Sequence, residues 1–219
     1  MRTATVRRVS DSAPLVRETS GTVWERSDPV AVDRFLWTAP GRQPRTTVRA
    51  LYDDNALHLH YEVTDRHSHA TTTTLNGPVW EDSCVEWFAS PRPSADEAYF
   101  NFEVNCVGTF HLAYGPDRTN RALVDPKTAD TVQVRTSIDG PTKSPRPDDE
   151  GWWVAATLPF DALSALSGVD VAPSPGTRWR GNFHRLRSRP EPLYAAWNTI
   201  DAPEPDFHRP AAFGELRFR

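Results

Sequence analysis

The chain of 219 residues reads as an all-β protein, an antiparallel β-sandwich with one short helix. Three observations predict this. Apolar and polar residues alternate with period two in about ten separate segments, the pattern of half-buried strands. Twenty Pro and eleven Gly punctuate those segments, which favours turns and edge strands over long helices. Only Pro159-Phe160-Asp161-Ala162-Leu163-Ser164-Ala165-Leu166 passes as a helix. No internal linker and no repeat of about 20–50 residues interrupts the pattern. The expectation is one domain over residues 1–219, with 1–45 as an extension or edge strands.

Taken in order, the polar start offers Val6, Val16 and Val23 as marks of short edge strands. The segment from Trp24-Glu25 to Leu36-Trp37 reads as a loop that lays two aromatics onto a sheet. Residues 46–52 predict a strand, Asp53-Asp54-Asn55 a turn, and 56–63 the returning strand with Leu57, Leu59, Tyr61 and Val63 inward. A polar loop carrying Thr71 to Thr74 leads to Val79–Phe88, which alternates with polar groups on both faces. Pro91-Arg92-Pro93-Ser94 breaks it. In Tyr99–Val107, Phe100, Phe102, Val104 and Cys106 share one face, while Asn101, Glu103 and Asn105 share the other. The pair predicts a hairpin whose apolar face packs on a core and whose polar face meets a ligand. Further strands are expected at 109–114, 131–137, 152–158, 178–186, 193–197 and 213–218, with a Pro/Asp-rich turn over Asp139–Gly151.

Composition narrows the function. Net charge is −4, which gives no electrostatic case for nucleic acid or an anionic membrane. No window reaches the roughly 20 apolar residues of a membrane span, and no apolar leader follows the basic start Met1–Arg8. The expectation is a cytoplasmic protein, or a secreted one whose leader has been removed. If Glu86 and Asn105 share a face of the hairpin, Cys84 and Cys106 point to opposite faces and cannot bridge. Free, partly buried thiols fit a reducing compartment. Eight Trp is high for this length. Core or sheet-face packing is the plain reading for Trp87, Trp152, Trp153 and Trp179.

The phosphate-loop, GxGxxG, HExxH and GxSxG motifs are missing. His58-x-His60 puts two imidazoles on one strand face, which could suit a metal, but the plainer reading is the solvent face of a half-buried strand. Glu81, Asp82 and Glu86 could serve as paired carboxylates for glycoside hydrolysis.

Trp80-Glu81-Asp82-Ser83-Cys84-Val85-Glu86, then Tyr99-Phe100-Asn101-Phe102-Glu103-Val104-Asn105 and Gly108, resemble the carbohydrate-binding module family 9 superfamily. Trp179, Gly181-Asn182-Phe183, Ala196-Trp197 and the closing Phe207-His208-Arg209-Pro210 with Phe213–Phe218 agree in order and spacing. The likeness runs from about residue 45 to the end. It implies an antiparallel sandwich, of the kind also seen in DOMON-like domains, whose typical members hold a saccharide end between two tryptophans. By that likeness the matching positions are Trp80 and Trp197, with Glu86 bonding sugar hydroxyls. Asn105 and Tyr194 depart from the basic and amide residues usual there, and Arg185 or His184 is a substitute donor. Structural calcium in typical members makes calcium a candidate cofactor here.

Six residues of extended chain separate Trp80 from Glu86, about 20 Å, too far for one sugar. Trp80 must therefore leave the strand and sit on a loop rim, which Pro78 favours. The reading is a non-catalytic protein for a mono- or oligosaccharide, its site Trp80, Glu86, Asn105, Arg185 and Trp197. The alternatives are a glycoside hydrolase and a haem- or redox-associated sandwich. With Met1 the sole methionine, the last would need two His ligands.

Overall fold

The computed structural model describes residues 1–38, 41, 43–142 and 150–219. Part of the turn expected over Asp139–Gly151 lies outside the described residues. The first strands are β1 (Thr3–Arg8), β2 (Val30–Ala31), β3 (Arg34–Phe35), β4 (Arg45–Tyr52) and β5 (Ala56–Thr64). The hairpin and its neighbours are β6 (Cys84–Ser90), β7 (Tyr99–Asn105), β8 (Phe110–Gly115) and β9 (Ala122–Leu123). After helix α1 (Pro126–Ala129) come β10 (Gln133–Thr136), β11 (Trp152–Pro159) and helix α2 (Phe160–Ser167). β12 (Arg178–Arg187), β13 (Leu193–Ala196) and β14 (Gly214–Phe218) close the chain.

Two curved layers result. One has the order β10–β11–β5–β4, with β2 on part of the outer edge of β4. The other runs β14–β12–β6–β7–β8–β9, and β13 shares the β14 edge of β12 and carries β3. β1 joins them. Thr3–Val6 pair in parallel with Glu215–Phe218, and Arg7–Arg8 pair in parallel with Leu51–Tyr52. The sandwich is thus one continuous sheet folded over, and its other named pairings are antiparallel. The start of the chain is therefore no edge: Val6 lies in the joining strand. Val16 is in no strand, and Val23 opens a 3₁₀ turn, Val23–Arg26.

Strand parity fills the space between the layers. Leu57, Leu59, Tyr61 and Val63 face Val85, Trp87, Phe100, Phe102, Trp179 and Phe183 in one buried cluster that also holds Trp152, Val154 and Leu158. Burying each large apolar side chain contributes about 1.5–3 kcal/mol. α2, where the helix was expected, lays Phe160 and Leu163 on that cluster and ends at Gly168, whose φ of 73° caps the helix in the left-handed region. Two smaller clusters cover the outer faces. Val9, Ala13, Trp24 and Leu51 form one; it shields His58 and His60, which are buried and not on a solvent face. His60 Nε2 meets Val16 O at 3.0 Å, and His58 lies between Asp53 and Thr157 at 3.0 and 3.1 Å. The other, Phe88, Tyr99, Ala196, Ile200, Phe207 and Phe213, lies on the outer face of the β12–β6–β7 layer.

Candidate functional site

The outer face of that layer is polar for a simple reason. In β6 the odd residues Val85, Trp87 and Ala89 enter the core, so Glu86 and Phe88 point away from it. β7 sends Phe100, Phe102 and Val104 inward and leaves Asn101 and Glu103 outside. The registers then align His184, Glu86, Glu103 and His111 as a row across β12, β6, β7 and β8. Phe88 stands opposite Asn101, and Tyr194 of β13 opposite Leu186.

A pocket of about 690 Å³ opens above this row, within the size range of small-molecule sites. Glu86, Phe88, Asn101 and Glu103 line it from the strands, and Trp37 and Trp80 from loops. Trp37 packs beside Tyr194 and Phe207, with ring centroids at 6.2 and 5.9 Å; Trp80 stands edge-on to His111 at 5.7 Å. β13 and β8 are four strand steps apart, about 19 Å, so the two indoles stand toward opposite ends of the row. Trp37 has φ 50°, a left-handed backbone that a bulky side chain seldom adopts. Its indole N–H donates to Ala202 O at 2.6 Å, which anchors it there.

Trp80 reaches the rim because the strand expected from Val79 begins only at Cys84. Residues Val79–Glu81 form a 3₁₀ turn after Pro78, with Val79 buried and Trp80 41% exposed. Asp82 holds the turn: its carboxylate accepts from Thr71 N, Thr72 N and Asn105 Nδ2 at 2.9, 3.2 and 2.8 Å.

Burial governs the floor's charge. It pushes the Glu86 carboxyl up to about 8, against the weaker pull of Arg118. Glu103 is pushed well up by burial first and then by Glu86. Burial also brings His184 down to about 3. Glu86 Oε2 lies 3.2 Å from His184 Nδ1, yet the two are not aligned as a hydrogen bond. A protonated Glu86 beside a neutral His184 is the state that burial favours. Asn101 Nδ2 donates to Glu103 Oε1 at 2.7 Å. Glu86 Oε2, Asn101 Oδ1 and Glu103 Oε2 have no hydrogen-bond partner among the described residues. Three buried oxygens facing one pocket suit a solute rich in hydroxyl groups.

Of the five residues read from sequence, the structure brings Trp80 and Glu86 to this pocket and puts three elsewhere. Trp197 is 3% exposed and inside the main cluster, T-shaped to Phe183 at 5.6 Å. A Cβ added at Gly214 would come within 2.5 Å of its ring, so the indole packs directly against the Gly214 backbone, and buried there it offers a solute no face. Arg185 points into the sandwich, where Asp65 accepts from it at 3.0 Å and from Arg187 at 2.8 Å. Its guanidinium lies 5.3 Å from the Trp152 ring centre. Asn105 closes the turn after β7, its side chain donating to Thr72 O and Asp82 and accepting from Thr109 N. The residues missed are Trp37, Asn101, Glu103, Phe207 and the arginines Arg118 and Arg121. The alternation of β7 carried the signal for Asn101 and Glu103; Trp37 was read only as an aromatic laid onto a sheet and Phe207 only as part of the closing motif, and nothing local marked Arg118 and Arg121.

The model of carbohydrate-binding family 9 matches residues 22–218. The chain belongs to carbohydrate-binding family 9. A protein of Bacteroides uniformis, named as a presumed carbohydrate-binding protein, superposes with a TM-score of 0.86 at 27% identity, over 100% of this chain and 99% of its own. A family 9 module of Caldicellulosiruptor kristjanssonii in complex with cellotriose gives a TM-score of 0.65 at 15% identity, covering 100% and 94%. The glucose complex from the same organism gives 0.66 at 14%, covering 100% and 96%. At those identities the two complexes show the shared fold. In sequence, an "Extracellular protein" of Arthroderma benhamiae is 26% identical over 206 residues, 86% of each chain.

Family 9 membership begins well before residue 45, so it takes in Trp37. Among the described residues no group of three or more His, Cys, Asp or Glu side chains is arranged to hold a metal ion, and Asp82 is spent on its loop. Nor does any helix of the described residues have the length and apolarity to cross a membrane.

Proposed function

We propose that this family 9 chain binds a saccharide without cleaving it, sugar rings lying over Glu86, Asn101 and Glu103 with Trp37 at one end of the pocket and Trp80 at the other. The observation that carries the reading is the combination of two loop-borne indoles with three unpartnered buried oxygens in one pocket. A pyranose offers apolar C–H faces to aromatic rings and hydroxyls to acceptors. The glucose and cellotriose bound by the Caldicellulosiruptor modules support the ligand class. Hydrolysis needs one ionised and one protonated carboxyl flanking the bond. Here burial favours the proton on both Glu86 and Glu103, and Asp82 is tied to its loop, which argues for binding over cleavage. The name of the Arthroderma relative supports action outside the cell.

Calorimetric titration with glucose, galactose, xylose and cello-oligosaccharides tests the proposal. Trp37→Ala and Trp80→Ala should each weaken binding about tenfold, or about 1.4 kcal/mol, with an unchanged circular dichroism spectrum. Full affinity in both variants would remove the indoles from the site.

A further inference from the structure

Two arginines line the pocket without a carboxylate to hold. Arg118 and Arg121 follow β8, and neither forms an ion pair among the described residues. The nearby acids are otherwise engaged. Asp117 turns into its own loop, accepting from Thr119 N at 2.8 Å, Thr119 Oγ1 at 3.0 Å and Asn120 N at 2.7 Å. Asp206 on the pocket wall pairs with Arg209 at 2.7 Å. Arg121 is held in place, 4.6 Å over the Tyr99 ring, and donates to Tyr99 O and Gly115 O at 3.3 and 3.4 Å. Its Nε is buried and has no partner among the described residues. Arg118 is exposed.

The floor does not cancel these charges. Burial raises the Glu86 carboxyl to about 8 and pushes the Glu103 carboxyl well up, favouring the uncharged form of each against the weaker pull of Arg118 on both and of Arg121 on Glu103. The remaining acid of the lining, Glu81, has its backbone carbonyl bonded by Ser188 Oγ, beyond the end of β12. β6 and β7 separate that side from β8, so the pocket has a cationic end next to β8 and β9. Guanidinium groups are planar, always charged and matched to oxyanions.

We propose that the preferred ligand is a sugar bearing an anionic group, a carboxylate or a sulfate ester, which Arg118 and Arg121 receive at the β8–β9 end of the pocket. This rests on the saccharide reading above and adds the charge. A neutral sugar would leave two guanidinium groups lining the pocket without a counter-charge, whereas an anionic one gains a charge-assisted contact.

The test is calorimetry on the full chain at neutral pH with matched pairs: glucose and glucuronate, galactose and galacturonate, and galactose 6-sulfate. At low salt an acidic member should bind about tenfold tighter than its neutral partner. The ratio should fall to near one in Arg118→Gln, which breaks no described contact of the fold, and in about 1 M salt, where screening acts over ~3 Å. A uronate preference alone identifies the carboxylate, and a sulfate preference alone the ester; either supports the proposal. Equal or tighter binding of the neutral partners would overturn it and leave the saccharide reading standing. A ratio unmoved by Arg118→Gln and by salt would overturn it too. Binding of no sugar in the set would overturn both.

Discussion

Replacing Glu86 with Gln tests the electrostatics of the floor directly. The Glu86 carboxyl releases its proton near 8 in the folded protein, against an ordinary value of 4.5. Its folded value is raised, so the native state holds a proton that the unfolded chain has lost. Stability from this group is full below about 4.5 and is lost as pH rises toward 8. The histidines act in the opposite sense. His184 and His208 titrate near 3 against an ordinary 6.5, so they destabilise as pH falls below 6.5 and are neutral in both states above it. The window from 6.5 to 8 therefore belongs to the glutamates. It spans about 1.5 units at about 1.36 kcal/mol each, so Glu86 should cost about 2 kcal/mol across it. Gln mimics the protonated acid in shape and removes that slope. It also lessens the repulsion that helps raise Glu103. Urea denaturation of both proteins at pH 6.5 and pH 8 reads the effect. Glu86→Gln should gain on the wild type by about 2 kcal/mol between the two. A stability difference that does not change with pH would refute the claim that Glu86 is protonated in the fold.

Trp197→Ala should lower stability by about 3–5 kcal/mol, as a large truncation in a packed core does; an unaffected denaturation midpoint would contradict its burial. Asp65→Asn leaves Arg185 and Arg187 without their carboxylate and should cost about 3–5 kcal/mol in the same assay, while sugar affinity at a temperature where the variant is folded stays within about twofold. Cys84 and Cys106 are both buried thiols, and burial pushes the Cys84 thiol well up. Both should resist a thiol reagent in the native state and react fully once unfolded without reductant; a silent unfolded chain would mean a disulfide.

Much of the fold was legible because each strand has one apolar face. The hairpin of β6 and β7, the β4–β5 pair and α2 fall where alternation and the Pro and Gly punctuation put them. β1 was misread as an edge because a short polar-alternating strand looks the same locally whether it is terminal or central. Its parallel pairing to both β4 and β14 is settled by contacts with residues about 45 and 210 positions away. β2, β3 and β9 have two residues each, too few for any period to register.

The site divides along the same line, and parity explains the division better than motif spacing does. Trp80 was legible physically: six extended residues from Glu86 are too many, and Pro78 allows the turn that lifts it to the rim. For Trp197 and Arg185 the family resemblance and the strand pattern disagree. In β13, Leu193 and Ala195 face the core, and two residues further along the chain Trp197 follows them inward, while Tyr194 lines the pocket. In β12, Arg185 shares its side with Phe183, and His184 takes the side of Glu86. Counting alternate residues from these core positions places both correctly. Trp37 lies in no strand, so no parity reaches it; its position depends on a left-handed backbone and on Ala202, Tyr194 and Phe207, all more than 150 residues away. A binding wall made from loops is set by such distant contacts, which is why the floor of this pocket could be read from the sequence and its second indole could not.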